Sequence, residues 1–546
     1  MPVINSYINQ LKSILKGDVT TEELIEKIPY LGLDLEEVNS EYFTIEYNPN
    51  RPDYSTDYGL GRGLNGILEF ETGTPKYNIN IGKSEVKVNP KLNKIRPYIS
   101  SVIARNIQLD EEKIRQMISM QEDLHDGIGR RRRKIAIGIH NLDVMKFPLS
   151  YTAVDKQFQF YPLDLDKELT IQEIFDTTET GKKYRWIIDK FNEYPIILDS
   201  NNEVISFPPI INGNLTRVTS KTKNLFVDIT GIDRKCVNDA LAVLTTFFYD
   251  CDGYIESVNI GYENDPIITP DLKEQKVEIN LDLANKLLGL QLSKNDVKKC
   301  LDKCRMSVYE ENEKLYALIP RYRFDIIHDV DLVEEIAIGY GIYNMTVDIP
   351  QSDQVGSLNS QNIKLGLLRD TLVGLGLIEV MNFALIDEVN LYNKVNRKQS
   401  TNIKVKNSKS NSHQVLRDML LPSLLINVHN NKHQLYPQKI FEIGKIFTKK
   451  DVKNPTEEYH LAFAITHAKS SYAEVKSYLT SLLSNTFNIV CKTQPEDFPL
   501  FIQGRSAKII AENNIGVIGE VNPEILENFQ IKMPVSAVEI SLKNII

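Results

Sequence analysis

The chain has 546 residues, 42% of them hydrophobic and 25% charged, with a formal net charge of −9; such a length asks for several cores, and such a mixture is that of a globular protein. The negative balance argues against a general nucleic-acid coat, which runs on excess Lys and Arg, though a local RNA contact or a basic partner subunit stays open. No apolar run approaches about 18 residues and no charged-then-apolar leader opens the chain, so no membrane segment and a cytoplasmic location are expected. Cys236, Cys251, Cys300, Cys304 and Cys491 are scattered and odd in number, which suits reduced structural thiols.

Val3, Ile4, Tyr7, Ile8, Leu11 and Leu15 share one face of a helical wheel, so an amphipathic helix is expected first. Thr20 and Glu23 then make a capping box for a second helix, closed by Pro29 and Gly32. In NPNRPDYSTDYGLGRGLNGI, Gly61, Gly63 and Gly66 match the dinucleotide spacing GxGxxG, but a two-proline turn stands where that motif needs a strand. The glycines are instead read as places where a helix packs closely on a neighbour.

At Pro97 the composition changes and a second domain begins with the strand-like YISSVIARNIQL. A helix, DEEKIRQMISMQEDLHDGIG, leads into five consecutive cations, Arg130 to Lys134, and then into the alternating strand KIAIGIHNLD. Such a run either meets a phosphate backbone or is solvated surface. Further on, the strands VISF and LFVDIT flank a turn hardened by Pro208 and Pro209. Asn212, Asn214, Thr216 and Thr219 follow the turn, and Asp228 and Thr230, two apart, project from the same side of the second strand. That alignment suits either a polar pocket or a solvent-facing side with turn-forming Asn.

DPIITPDL is a linker, after which VEINLDLANKLLGLQLSKNDVKKCLDKC reads as strand, helix, turn, helix, with Ser293 as a cap. RYRFDII alternates like a strand, and from Asp329 the apolar spacing becomes helical until Gly341. Asp331, Glu334 and Glu335 share one helix face and Asp325 precedes them. Converging carboxylates suit a hard divalent cation such as Mg2+; the plainer alternative is that acidic residues in a first turn favour the helix dipole. Beyond a polar linker, a helix from Ile363 to Leu375, a strand near Ile378 to Leu385, and the strands KIFEIGKIF, HLAFAIT, SAKIIAE, NIGVIGEV and VSAVEISL argue for an antiparallel sheet with helices, hence α+β.

Several of these stretches resemble one family. RFDI with DLVEEIAIGYGIYN, GRRRRKIAIGIHNLD, FPPIING followed by FVDITG, and the NRPD run from Asn50 to Asp53 look like the β subunit of phenylalanyl-tRNA synthetase in its archaeal and eukaryotic-cytoplasmic form. The resemblance implies a multidomain α+β chain: an N-terminal domain at 1–97, an editing domain at 98–268, a small helical docking domain with an acidic Mg2+ site at 272–350, and a class II synthetase-like core without catalytic motifs at 356–546. It assigns Mg2+ to Asp325, Asp331, Glu334 and Glu335, and implies an α2β2 heterotetramer in which the α subunit binds ATP and phenylalanine and charges tRNA(Phe). It also makes the 194–230 region a pocket that hydrolyses mischarged tyrosyl-tRNA(Phe), with Asn212, Asp228 and Thr230 as its expected lining. A phenylalanine slot rejects tyrosine by only about 10²-fold, so a second pocket that hydrogen-bonds the hydroxyl is needed. With no HExxH, nucleophile elbow or Cys/His pair in the chain, hydrolysis is expected to use a positioned water. The alternative is a structural or RNA-binding subunit that no longer edits.

Overall fold

In the computed structural model, which describes residues 2–263, 265–399, 402–449, 454–511, 513–543 and 545, Val3–Tyr7 is a strand and the helix starts only at Ile8. The helical spacing of Val3, Ile4 and Tyr7 is overridden because Tyr42–Glu46 offers these residues an antiparallel partner, and Ile4 and Ser6 are the side chains that become buried. The capping box of Thr20 and Glu23 is formed, and so is that of Ser293 and Asp296. The chain divides into a unit of residues 1–348 and a unit of residues 349–546.

A ten-stranded sheet organises the first unit. Its path runs from Ile211–Asn212 through Val204–Phe207, Tyr194–Leu198, Leu149–Val154, Glu85–Val88, Tyr254–Gly261, Tyr98–Arg105 and Leu225–Gly231 to Ile135–Asn141, with Ile267–Thr269 beside Tyr254–Gly261. The strand Glu85–Val88 precedes the boundary expected at Pro97, so this sheet draws on residues from both sides of it. Leu225–Gly231 is buried at every position and its side chains alternate between two cores. Leu225, Val227 and Ile229 meet the helices Glu111–Asp126 and Arg234–Asp250, whereas Phe226 packs with Ile99, Ile103 and Tyr151 on the other face.

At the N-terminal end of this unit the helix Asp57–Ile67 lies very close to its neighbours. A Cβ at Gly59 would strike the carbonyl of Asp53, and one at Gly66 the carbonyl of Lys303, which is why glycine recurs there. Residues 275–340 hold the expected helices Leu281–Leu288, Lys294–Lys303 and Asp329–Tyr340, but the helices pack on a three-stranded antiparallel sheet of Gln275–Ile279, Lys314–Ile319 and Ser307–Glu311. The region is therefore mixed, not purely helical. RYRFDII, read as a strand, is a run of turns. Its alternating polar positions, Arg323 and Asp325, bond to each other instead of facing solvent from a sheet.

In the second unit a seven-stranded sheet runs Ile378–Glu379, Gln438–Lys449, Pro455–Thr466, Val535–Ser541, Asn513–Val521, Phe501–Ala511, Lys492–Pro495, antiparallel except for its first pair. The helices Ser360–Gly374 and Tyr472–Phe487 cover one face and Leu421–Asn430 with Pro523–Asn528 the other. The strand expected from Ile378 to Leu385 shrinks to Ile378–Glu379 and Leu385–Ile386, leaving Met381 and Phe383 exposed between. All five cysteines are free thiols.

Candidate functional site

The sheet of the first unit brings three strands of distant sequence side by side. Asp228 stands opposite Ser101 on one neighbour and Gly138 on the other. Gly138 is required there: a Cβ would collide with Asp228 Oδ2 and with His140 Nε2. A pocket of about 130 Å3 opens over this point, walled by Ile137, Phe207, Pro208, Pro209 and Ile210 and edged by the polar side chains of Gln121, Arg132, Ser206, Asn212 and Asp228. Apolar walls with a few fixed polar groups make a small-molecule pocket.

Asp228 is 1% exposed, and its Oδ1 has no hydrogen-bond partner among the described residues. Its Oδ2 lies 3.8 Å from Nε2 of His140, a fully buried ring that also lacks a partner at that nitrogen. The other ring nitrogen, Nδ1, is 2.8 Å from the Thr216 hydroxyl, which is within 3.4 Å of the Gly213 carbonyl. Assigning the hydroxyl proton to that carbonyl makes Nδ1–H the donor to Thr216 and leaves Nε2 as an acceptor beside Asp228.

Of the residues expected to line this pocket, Asp228 and Asn212 do so, the latter half-buried and accepting from Ser206 Oγ at 3.2 Å. Thr230 lies behind it. Its hydroxyl accepts from Arg96 Nε at 2.9 Å and its carbonyl from Arg96 Nη2 at 2.7 Å. Arg96 is 1% exposed with no ion pair among the described residues, and burial pulls its guanidinium down to about 10. It also reaches the carbonyls of Arg132 and Arg133, so it fixes the cationic turn to the strand that carries Asp228.

That turn is unusual in its backbone. Arg130, Arg131 and Arg132 have φ of +50°, +55° and +61°, a left-handed stretch that costs non-glycine residues energy. Arg132 holds it by donating to Ile210 O at 3.2 Å and to Glu122 at 2.8 Å. Glu122 also accepts from His125 Nδ1 at 3.0 Å, while His125 Nε2 accepts from the Ile137 amide at 2.8 Å, so His125 sits as the neutral ring. The His125 hydrogen bond foremost, with Arg132, holds the Glu122 carboxyl down to about 2. Arg130, Arg131 and Arg133 remain exposed.

Sequence reasoning singled out neither His140 nor Gln121 as part of a site, and met Arg132 only within the cationic run Arg130 to Lys134. His140 had one signal, its place two residues beyond Gly138 on the same face of an alternating strand.

The acidic residues at 325–335 have other partners. Arg323, 4% exposed, gives Nε and Nη2 to Asp325 at 2.9 and 2.8 Å, and Nη1 and Nη2 to Glu335 at 3.1 and 2.5 Å. Asp331 accepts from the amides of Ile327 and His328, both at 2.7 Å, as a helix cap. Glu334 points outward and is exposed. Among the described residues no three acidic, His or Cys side chains form a metal-binding group. As placed in this chain, the carboxylates do not fit a Mg2+ shell, because a guanidinium already neutralises two of them and the backbone takes a third.

In the second unit Arg417 is turned inward. It is 3% exposed, gives Nη1 to Glu442 at 2.6 Å and Nε to the Lys445 carbonyl at 3.2 Å, and packs where Gly444 leaves room. Glu539, equally buried, accepts from the amides of Leu420 and Leu421. Arg417 and Glu442 thus satisfy each other within the core, while Glu539 is held by backbone amides and by His460.

Two family models match the chain, the tRNA synthetase B5 domain at residues 277–342 and the phenylalanyl tRNA synthetase beta chain CLM domain at residues 346–542. The phenylalanine–tRNA ligase beta subunit of Archaeoglobus fulgidus is 40% identical over 546 residues, covering 99% of this chain and 98% of that one. Its counterpart from Methanocaldococcus jannaschii is 36% identical and aligns over 100% of both. Among solved structures, an N-terminal fragment of the phenylalanyl-tRNA synthetase beta subunit from Pyrococcus horikoshii superposes with a TM-score of 0.60 at 35% identity, over 62% of this chain and 99% of the fragment.

Proposed function

Since the chain belongs to the family of phenylalanine–tRNA ligase β subunits, we propose that its own chemistry is the hydrolysis of tyrosine wrongly joined to tRNA(Phe), in the pocket over Asp228. Phenylalanine attachment, with its ATP, belongs in this reading to a separate α subunit, and the two chains work as an α2β2 heterotetramer in the cytoplasm. No helix among the described residues is long and apolar enough to cross a membrane. The buried pairing of Arg417 with Glu442 supports a second unit that serves as scaffold, since it commits that guanidinium within the core.

One observation carries the editing reading: a buried carboxylate with an uncommitted oxygen, beside an imidazole acceptor, at the floor of an apolar-walled pocket. A water between them donates one proton to His140 Nε2 and the other toward Asp228, leaving its lone pairs free for attack. The water oxygen then bonds to the ester carbonyl carbon, its proton passes to the His140 and Asp228 pair, and the ester bond breaks with the tRNA 3′ oxygen taking a proton as it leaves. The apolar walls take the aromatic ring. Exposed Arg130, Arg131 and Arg133 beside the pocket suit the phosphates of an incoming 3′ end. Deacylation of tyrosyl-tRNA(Phe) by the assembled parent enzyme tests the reading; no hydrolysis above the solvent rate would leave the subunit a structural one.

A further inference from the structure

A second, unassigned site lies where three segments of the first unit meet. Arg62, on the helix Asp57–Ile67, rests its guanidinium 4.2 Å over the ring of Tyr322 and gives Nε and Nη2 to Asp250 at 3.0 and 2.7 Å. Arg305 gives only Nη2, to Glu71 at 3.2 Å, and its stem passes Gly66, where a Cβ would press on Arg305 Cδ at 3.0 Å. Each arginine is 8% exposed. Arg62 Nη1, Arg305 Nε and Arg305 Nη1 are buried donors with no acceptor among the described residues. Both side chains line one narrow cavity of about 20 Å3, room for a single occupant of water or halide size.

The unmet groups are all donors. A buried guanidinium edge without an acceptor is costly, and one water offers too few lone pairs for the N–H bonds on these three nitrogens. Arg51 and Arg323 border the same cavity but are matched by Asp53 and Glu335, so the uncommitted hydrogen-bonding edges are those of Arg62 and Arg305. Asp250 takes Nε and Nη2 of Arg62, and Glu71 takes only Nη2 of Arg305. Tyr77, edge-on to Tyr322 with ring centroids 6.5 Å apart, has a buried hydroxyl without a partner among the described residues.

We propose that this cavity binds a small inorganic anion of chloride size, held between the free edges of Arg62 and Arg305. The ion clamps the helix Asp57–Ile67, the end of the helix Arg234–Asp250 and the turn at Arg305 into one body, and acts as a structural ligand independent of the hydrolytic pocket.

Thermal unfolding of the full chain, in chloride, bromide and gluconate at one ionic strength, tests this. The halides should raise Tm saturably by about 1–2 °C over gluconate, as expected for a site filled to several times its Kd. Arg305→Gln should abolish the halide dependence, while Arg115→Gln, which loses only an exposed pair with Glu112, should keep it. Equal Tm in all three salts overturns the proposal. Should Arg305→Gln fail to fold, crystals of the parent soaked in bromide decide: an anomalous peak between Arg62 Nη1 and Arg305 supports the site, and a water there without bromide overturns it.

Discussion

His140 and Asp228 face each other with only the bare backbone of Gly138 to separate their side chains, Nε2 of one lying 3.8 Å from Oδ2 of the other. His140 Nε2 and the other carboxylate oxygen, Asp228 Oδ1, have no hydrogen-bond partner among the described residues, so the pair is poised to share a water. Asp228→Asn should lower tyrosyl-tRNA(Phe) deacylation by at least about 10²-fold, the lower end of what a positioned base contributes, and His140→Gln by a similar factor. Because both act on one water, the double variant should be little worse than either alone. Phenylalanine charging by the assembled enzyme should stay within about twofold of the parent. Additive losses, or a parallel fall in charging, would mean that these residues hold the fold and do not perform the chemistry.

Thr230 should behave differently from its strand neighbour. Thr230→Val removes the acceptor of Arg96 Nε and leaves a buried guanidinium N–H unpaired, at a cost of about 1–3 kcal/mol in stability. Since the hydroxyl does not reach the pocket, deacylation by the folded fraction should be nearly unchanged. Denaturant unfolding beside single-turnover deacylation separates the two; a slow but fully stable variant would return Thr230 to the pocket.

The contrast between these residues shows what the sequence made legible. Strand alternation correctly put Asp228 and Thr230 on one side of Leu225–Gly231, but a face is shared by everything packed on it, and Arg96 arrives from another segment to claim one of the two. His140 was hidden for a related reason: its strand alternates like any core strand, and only the long-range order of the sheet brings it beside Asp228. Of the glycines read as close-packing positions, Gly66 meets the backbone carbonyl of Lys303, whereas Gly61 and Gly63 meet the side chains of Ile14, Tyr54 and Leu31; the spacing showed that the helix packs closely but not on what. Five strands of the second unit and their antiparallel sheet were accessible because those strands are long and strongly patterned, whereas their order in the sheet was not. The acidic helix was legible as a helix, while the fate of its carboxylates depended on Arg323 turning inward, which spacing does not encode.

That arrangement predicts an insensitivity to chelation. If Arg323 is the cation that neutralises Asp325 and Glu335, then EDTA should leave the unfolding midpoint of the chain unchanged and added Mg2+ should not raise it. Arg323→Met should be severe, about 3–5 kcal/mol, because it strands two carboxylates in a nearly dry site. Glu334→Gln should stay within about 0.5 kcal/mol of the parent, as an exposed substitution. A midpoint that falls in EDTA and recovers with Mg2+ would restore the metal reading for this helix.

The support of the cationic turn should also weaken with acid, in an order set by its groups. Burial depresses His125 below its ordinary 6.5, with the Glu122 hydrogen bond opposing and Arg132 and Arg96 reinforcing the effect. Above pH 6.5 the ring is neutral in folded and unfolded chain alike and the contribution is fully present; as pH falls below 6.5 the unfolded chain binds a proton that the folded one refuses, so stability declines. Glu122, held down to about 2, adds a second decline once pH drops below the ordinary 4.5, when the unfolded carboxyl protonates first. Asp57, whose buried carboxyl is pushed up to about 6, works in the opposite direction, because its folded form keeps a proton that the unfolded chain has lost. The parent alone therefore mixes these signs, and the informative quantity is the difference in denaturation midpoint between the parent and His125→Asn from pH 8 to pH 5. That variant keeps a short side chain near Glu122 but cannot take up a proton. The parent's advantage should be constant above about pH 7 and shrink steadily below 6.5. An advantage that grows on acidification would mean that His125 is held as the cation by Glu122, and the neutral ring at the base of the turn would have to be abandoned.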